Sequence, residues 1–464
     1  MQYTIRGALV AQAQGYETVD VQIEGDRISA IAAYLEPIGT VIEANQKLLL
    51  PGFVNAHTHS SEMWQRGLIS PLPLELWLAE LYDSKFKPEQ IYLSALHTAA
   101  ETLLSGGTCV VDHLPLIPGQ EMETIAAAVS AYRDIGIRAF VAPLIQDKTL
   151  PASVPTGGHE MQYEPYLHSA EETLAMLQQA VEKFHQPEAG IYLMVAPTGA
   201  QLCSDDMLEG CVEFSDRHSL CRHTHLLESR AQKLLAEEQY GCSAVEYLKR
   251  LGFLGARTSL AHCVWLNDDD ITLLAATRST VVHNPLSNLR LGSGIAPLLQ
   301  YRQAGVNVSF GCDGAASNDS QDLLEAIKIG SILHNVTDFD YRHWITPRQA
   351  IEMASLGGAT GLGLAEELGT LTVGKKADLV LYDLTNLSLL PRTDPIGLLV
   401  LGRPTQAVDC AWVNGKQTIA QGKLTTIDVD TLRQNLLEQS QYHQPPSKTL
   451  QQMEPHYRSV MGLR

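Results

Sequence analysis

The chain has 464 residues, 45% of them hydrophobic and 18% charged, with a formal net charge of −19. That length supplies core for one large domain with an accessory piece, and the acidic balance argues against a phosphate-backbone binder, which needs clustered Lys and Arg. No apolar run approaches the roughly 20 residues that span a bilayer, the amino-terminal MQYTIRGALV lacks a signal-peptide pattern, and eight cysteines include no C-x-x-C pair; the expectation is a cytoplasmic protein with reduced thiols and neither nucleic-acid nor membrane partners.

Residues 1–48 alternate apolar and polar positions, as in YETVDVQIEGDRISAI, and predict antiparallel strands turning at Glu24-Gly25-Asp26. Eight short apolar runs then recur at 48–59, 108–114, 137–144, 191–197, 219–228, 258–264, 279–285 and 307–314, separated by helix-patterned segments such as EQIYLSALHTAAETLLSGG. Runs of this kind fit strands buried on both faces. Eight strand-helix units predict an α/β fold, a parallel (β/α)8 TIM barrel, and no G-x-G-x-x-G follows the first strand to favour an open doubly wound sheet. Residues 369–425 return to alternation with an Asn414-Gly415 turn. Neither β-rich end has enough strands to bury a face alone, so both are expected to pair into one small β-sandwich. The expected division is 1–50 with 366–430 for that sandwich, 51–365 for the barrel, and a helical, peripheral tail over 431–464.

Barrel enzymes carry their chemistry at the carboxyl ends of the strands. The first run ends in His57 and His59, the fifth in His223, His225 and Glu228, the sixth in His262, the seventh in His283 and the eighth in Asp313. Residues i and i+2 of a strand share a face, so His57 and His59 aim at one point, which His225 and Asp313 reach from across the mouth. Three imidazoles and a carboxylate suit one divalent metal, most simply zinc, with a position left for water. His223 reads either as another ligand or as a supporting residue, His262 as a functional group or a satisfied core histidine, and His283 as a pocket residue or a cap on the strand-to-loop turn.

PGFVNAHTH, GGTCVVD, HTHLLES, LAHCVWL, VVHNPLSNLRLGSGIAPL, CDGAASNDS, IEMASLGGATGLGL and GTLTVGKKADLVLYDL run through nearly the whole chain. In this order they resemble the amidohydrolase superfamily, in its cytosine-deaminase-like branch of s-triazine, guanine, 8-oxoguanine and adenosyl-homocysteine deaminases. The resemblance implies a mononuclear metal, usually zinc and sometimes iron, held by His57, His59, His225 and Asp313. It also implies Glu228 as proton shuttle, Asp313 as the group that takes a proton from water, and His262 beside the reacting carbon. The implied reaction is release of ammonia from an exocyclic amine of a purine, pterin, pyrimidine or s-triazine type ring, in a homodimer or higher homo-oligomer. Hydrolysis of a cyclic amide, or of a chloro- or alkylamino-triazine, is the alternative within the fold. An adenosine-type deaminase and a non-catalytic scaffold stand behind both.

Departures from that pattern bear on the substrate. Nucleoside-type relatives carry APHAPY after the fourth strand where this chain has APTGAQ, with Thr198 and Gln201, and a Glu directly before Trp-Leu where this chain has Leu76, its acid falling at Glu75. These differences favour a free planar heterocycle over a nucleoside. Glu62 stands where many relatives have Gln and is expected either to read a donor-rich substrate edge or to pair with Arg66. Trp64 and Trp77 are candidates for the pocket wall, and 145–167 for a lid hinged at Gly157-Gly158.

Overall fold

The computed structural model describes residues 1–81, 86–158, 168–440 and 447–463. Its centre is a ring of eight parallel strands: β1 (Phe53–Thr58), β2 (Gly107–Pro115), β3 (Arg138–Ile145), β4 (Ile191–Leu193, resumed at Ala196–Pro197), β5 (Arg222–Leu226), β6 (Thr258–His262), β7 (Thr280–His283) and β8 (Asn307–Phe310). β1 to β4 pair in chain order, and so do β5 to β8. The two arcs are stitched at both seams. Val195 bridges Arg222 and Gly199 bridges His225, while the Asp313 amide donates to the His57 carbonyl at 2.9 Å. The curled parallel sheet is the TIM barrel that the strand pattern predicts.

Helices cover the barrel because their apolar residues recur at helical spacing. Over Glu121–Ile135, for example, Ile125, Ala128, Val129, Tyr132 and Ile135 are buried and Gly136 ends the helix at φ 79°.

The two chain ends meet in a separate nine-stranded sheet. Its seam is the antiparallel pairing of Lys47–Pro51 with Leu379–Asp383. Side chains alternate across this sheet with the period of two that a strand imposes. Leu49, Leu379, Leu381, Cys410 and Trp412 join Ile5, Val21 and Ile23 in the sheet's own core. Their neighbours Leu48, Leu50, Val380, Tyr382, Ala411 and Val413 belong to the barrel's core. Asn414 and Gly415, at φ 49° and 69°, make the expected turn between Val408–Val413 and Lys416–Ala420.

Two expectations shift. The single run 48–59 is split: Lys47–Pro51 belongs to the end sheet, and the barrel begins only at Phe53. Gly52 sits at the break, where a Cβ would come within 2.1 Å of Thr108 Oγ1, so only glycine lets the chain pass from one sheet to the other. The tail is not peripheral. After the helix Val429–Gln439, the helix Lys448–Val460 buries Met453 and Tyr457 against Leu76, Ala79, Leu150 and Val154 on the side of the barrel that bears the site. No described helix is long and apolar enough to cross a membrane.

Candidate active site

The carboxyl ends of β1, β5 and β8 bring His57, His59, His225 and Asp313 together. His59 Nε2 lies 3.2 Å from His225 Nε2, and Asp313 Oδ1 lies 3.3 Å from His57 Nε2 and 3.5 Å from His59 Nε2. Four ligands about 2.0–2.1 Å from a tetrahedral centre are separated by about 3.3–3.4 Å, so these three separations match edges of a zinc-sized coordination sphere. The opposite nitrogens are all engaged. His57 Nδ1 meets His223 Nε2 at 2.8 Å, His59 Nδ1 donates to the His113 carbonyl, and His225 Nδ1 donates to the Thr198 carbonyl. Outer partners of this kind fix the tautomer and leave Nε2 free as a ligand. His57 Nε2 is buried and makes no hydrogen bond. The residues present therefore fit a divalent cation.

Their electrostatics agree. Burial, reinforced by neighbouring histidines, holds His57 well below its ordinary pKa and His225 at about 3, so both are neutral donors at neutral pH. Burial works against ionisation of Asp313, but His57, His262 and His59 outweigh it and hold that carboxyl well below its usual range. His223 is thus a supporting residue in this geometry. Its Nδ1 is 2.7 Å from Ser259 Oγ, which completes a chain behind His57. Backbone strain concentrates here too: Leu227, His262, Cys263 and Asp313 all have positive φ at the ends of their strands.

Beside this cluster sit Glu228 and His262. His262 Nε2 is 3.3 Å from Glu228 Oε2 and 3.8 Å from Asp313 Oδ2, while its Nδ1 is 2.9 Å from Asn288 Oδ1. Burial and then the charges of Asp313 and Glu75 push the Glu228 carboxyl well above its ordinary value. A carboxyl kept protonated within reach of the ligand cluster can give a proton and take it back.

The chamber above these groups is lined by Glu62, Glu75, Trp77, Thr198, Gln201, Gln232, Leu291 and Ser317 as well as the cluster itself. Glu62 faces the chamber. Its carboxylate accepts the Ala316 and Ser317 amides at 3.3 and 3.2 Å, and Gly314 makes room for it, since a Cβ there would lie 1.7 Å from Oε2. Arg66 instead pairs with Glu101 at 3.0 Å and does not hold Glu62. Gln201 lines the chamber. Trp64 and His283 do not: the Trp64 indole donates to the Gln90 carbonyl and packs on the barrel core, and His283 is buried 3.2 Å from His334 Nε2. The helix Leu74–Leu81 turns Trp77 into the chamber in place of Trp64.

Glu75 also lines the chamber, so its one-position offset from the nucleoside-type pattern does not remove the carboxylate from the site. Sequence reasoning overlooked His113, whose ring stacks on that of His225 at 4.8 Å, and Asn288, the partner of His262. His113 follows an apolar run one residue after Asp112, which was its only signal. Of the proposed lid, Leu150–Ser153 is a short helix, and 159–167 lie outside the described residues.

An amidohydrolase family model matches residues 48–418. The chain is 31% identical over 421 residues to a 5-methylthioadenosine/S-adenosylhomocysteine deaminase of Caldanaerobacter subterraneus, covering 89% of this chain and 91% of the relative. It is 33% identical over 425 residues to a 5'-deoxyadenosine deaminase of Methanosarcina barkeri, covering 91% of each. Among solved structures, an adenosine deaminase from Xanthomonas campestris with bound zinc aligns with a TM-score of 0.83 at 25% identity, over 98% of both chains. An atrazine chlorohydrolase from Arthrobacter aurescens complexed with zinc aligns with a TM-score of 0.85 at 24% identity, over 94% of this chain and 99% of its own; that likeness concerns the fold alone.

Proposed function

The chain belongs to the amidohydrolase family, and on that premise we propose that it is a metal-dependent deaminase releasing ammonia from an exocyclic amine of a heteroaromatic ring. The observation that carries this reading is the cluster in which His59 Nε2 lies 3.2 Å from His225 Nε2 and Asp313 Oδ1 lies 3.3 Å from His57 Nε2 and 3.5 Å from His59 Nε2, beside a protonated Glu228. Relatives above 30% identity, named as deaminases of adenosine derivatives, support it.

His57, His59, His225 and Asp313 would hold the metal, with zinc favoured by a donor set of three imidazoles and a carboxylate and by the zinc in the aligned adenosine deaminase. When bound, a divalent cation there supplies Lewis-acid activation of water at neutral pH. Asp313 serves the nucleophile through Oδ2, the oxygen turned toward His262, and accepts its proton. Glu228 delivers its proton to the ring nitrogen next to the reacting carbon, which makes that carbon electrophilic, and a second transfer lets the amine leave as ammonia. With Nδ1 tied to Asn288, His262 keeps Nε2 toward the Glu228 carboxyl and shares the travelling proton with it. Leu291, Trp77 and Leu78 present apolar surface to a flat ring and limit water around it. The products are the ring carbonyl and ammonia.

The test is an ammonia-release screen of zinc-loaded protein against aminated purines, pterins, pyrimidines, triazines and adenosine derivatives, before and after chelation. Ammonia release that a chelator abolishes and zinc restores is the expected outcome. Hydrolysis of ring amides without ammonia, or activity indifferent to chelation, would overturn the reading.

A further inference from the structure

Asp313 is presented differently from the three histidines of the cluster. His57 and His225 lie within β1 and β5, and His59 follows β1 directly, whereas Asp313 stands three residues beyond Phe310, the last of β8, in a turn with φ 63°. A residue other than glycine persists in that conformation only where its surroundings over-determine it. The turn also lies at the seam where the barrel closes, and β8 has no ladder pairing with β1 among the described residues. One backbone bond crosses there, from the Asp313 amide to the His57 carbonyl. Two members of the cluster are thus on one side of the seam and the carboxylate is on the other.

Side chains complete the crossing. Gln321, fully buried in the loop between β8 and the helix Leu323–Ile332, donates through Nε2 to the Asp313 carbonyl at 2.5 Å and accepts Asn55 Nδ2 on Oε1 at 3.1 Å. The Thr58 hydroxyl lies 2.9 Å from the Asp313 carbonyl and from Gln321 Oε1, so its one proton ties β1 to one or the other. Asn55 Oδ1 accepts the Cys312 amide at 2.9 Å, where a strand partner would have supplied a carbonyl. Asn55 and Thr58 are as inaccessible as Gln321. The main chain of Gln321 is held in turn, because its amide donates to one oxygen of Glu101 at 3.2 Å while the other oxygen pairs with Arg66. An amide donates to one partner while accepting from another; a methionine does neither, and an ionised carboxylate only accepts.

We propose that Gln321, with Thr58 and Asn55, is a positioning unit that holds the Asp313 turn in its left-handed conformation against β1 and so fixes the carboxylate beside His57 and His59, where the metal would bind. The proposal rests on the metal-dependent deaminase reading above. With the turn clamped, Asp313 Oδ1 also takes the Gly314 amide at 2.8 Å, and the carboxylate is oriented before any cation arrives. A donor oriented in advance loses little freedom on binding. Without the clamp the seam can open, and the carboxylate moves away from the two histidines it has to meet.

The experiment compares the full-length parent with Gln321→Met, Thr58→Val and Thr58→Ser. Zinc affinity is read by competition with a chromogenic chelator, and the rise in Tm that zinc produces is measured against the same protein without metal. Gln321→Met and Thr58→Val should bind zinc about 10- to 100-fold more weakly, the usual effect of removing an outer partner of a metal ligand, and the rise in Tm should shrink accordingly. Thr58→Ser keeps the hydroxyl and should stay near the parent. Parental zinc affinity in Gln321→Met, whatever its Tm without metal, would make Gln321 a packing residue and overturn the proposal. Should that variant fail to fold, Thr58→Val decides in the same way, since it exchanges the hydroxyl for a methyl of nearly the same shape. A loss in Thr58→Ser equal to that in Thr58→Val also overturns it, because the hydroxyl would then not be what acts. If the folded parent binds no zinc, the metal reading fails and takes this inference with it. If the parent binds zinc but releases ammonia from no compound, only the deaminase reading fails, and the zinc affinities of the variants still decide for or against the positioning unit.

Discussion

At the scale of single residues, Glu228 and Asp313 are both acidic, both buried and both within 3.8 Å of His262 Nε2, yet their surroundings drive them in opposite directions. Three histidines hold Asp313 ionised, whereas burial and neighbouring carboxylates keep Glu228 protonated, which suits the proposed division between a metal-binding base and a proton donor. Glu228→Gln should therefore lower turnover by at least about 100-fold while zinc content, measured by elemental analysis, stays intact; a zinc-free variant would show that Glu228 coordinates. A second prediction concerns pH. Burial pushes Glu62 up to about 7 in the metal-free protein, and a bound cation pulls it down again. As an acceptor it works only when ionised, so kcat/KM should rise with pH through a limb at or below about 7, and Glu62→Gln should remove that limb. A limb unchanged in the variant would assign it to another group. The clustering of the proposed metal ligands was legible because His-x-His in a strand fixes a shared face, and because His225 and Asp313 end strands of the same barrel. Glu75 and Trp77 were harder to place, since the side chain that a short loop helix turns inward is decided by packing and not by strand periodicity.

Elements beyond the barrel determine how firmly that chamber is walled. The helix Leu74–Leu81 carries Glu75 and Trp77, and its outer face rests on Met453 and Tyr457 of the helix Lys448–Val460, with the Ser447 hydroxyl donating to the Ala79 carbonyl at 2.8 Å. Met453→Ala should lower stability by about 2–5 kcal/mol, the usual range for emptying a buried Met site. It should also raise KM more than it lowers kcat, because the chamber wall loosens while the proposed metal ligands stay on their strands; denaturant melts and steady-state kinetics together check this. The composition of the tail hid this role. A helix with polar residues on most of its surface reads as peripheral, and only the few that face inward, such as Met453 and Tyr457, reveal a dock. Gly157 and Gly158, at φ 66° and 82°, follow Thr156, which is anchored by its amide to Glu238 at 3.0 Å. Alanines there oppose positive φ at about 1–2 kcal/mol per residue. If the following segment closes over substrate, kcat and KM should change together; unchanged kinetics would make this turn structural. The strand pattern gave all eight barrel strands but not the break at Gly52, because apolar residues continue across it while the partner sheet changes.

For the molecule as a whole, the question is whether the barrel and the sheet made by the chain ends unfold together. The alternation in 1–48 and 369–425 pointed to partnership between the ends, since half a sheet cannot bury a face alone, but it carried no sign of what fastens that sheet to the barrel. The fastening is a buried ion pair. Arg138 at the start of β3 donates through Nε and Nη2 to Asp378 Oδ2 and Oδ1 at 3.0 and 2.9 Å, and also to Asn414 at the sheet's turn. Both charged residues are nearly inaccessible to water. The Asp378 carboxylate also accepts the Asn414 amide at 2.8 Å, so one carboxylate holds the barrel strand and the hairpin of the end sheet at once. The net worth of such a pair is small, because both ions surrender hydration to form it. Removing one partner is different, since the guanidinium of Arg138 would remain buried with nothing to balance it. Asp378→Ala should cost about 3–5 kcal/mol, whereas replacing both residues with apolar ones of similar volume should recover much of that loss. Denaturation followed by tryptophan fluorescence can use Trp412, fully buried in the end sheet, against Trp77 in the barrel chamber. With one tryptophan retained at a time, coincident transitions in the parent chain are the signature of a single cooperative unit. If the Trp412 transition precedes that of Trp77 in Asp378→Ala, this ion pair is what makes the two ends melt with the barrel; coincident transitions in the variant would give that role to the apolar contacts of Leu48, Leu50, Val380 and Tyr382.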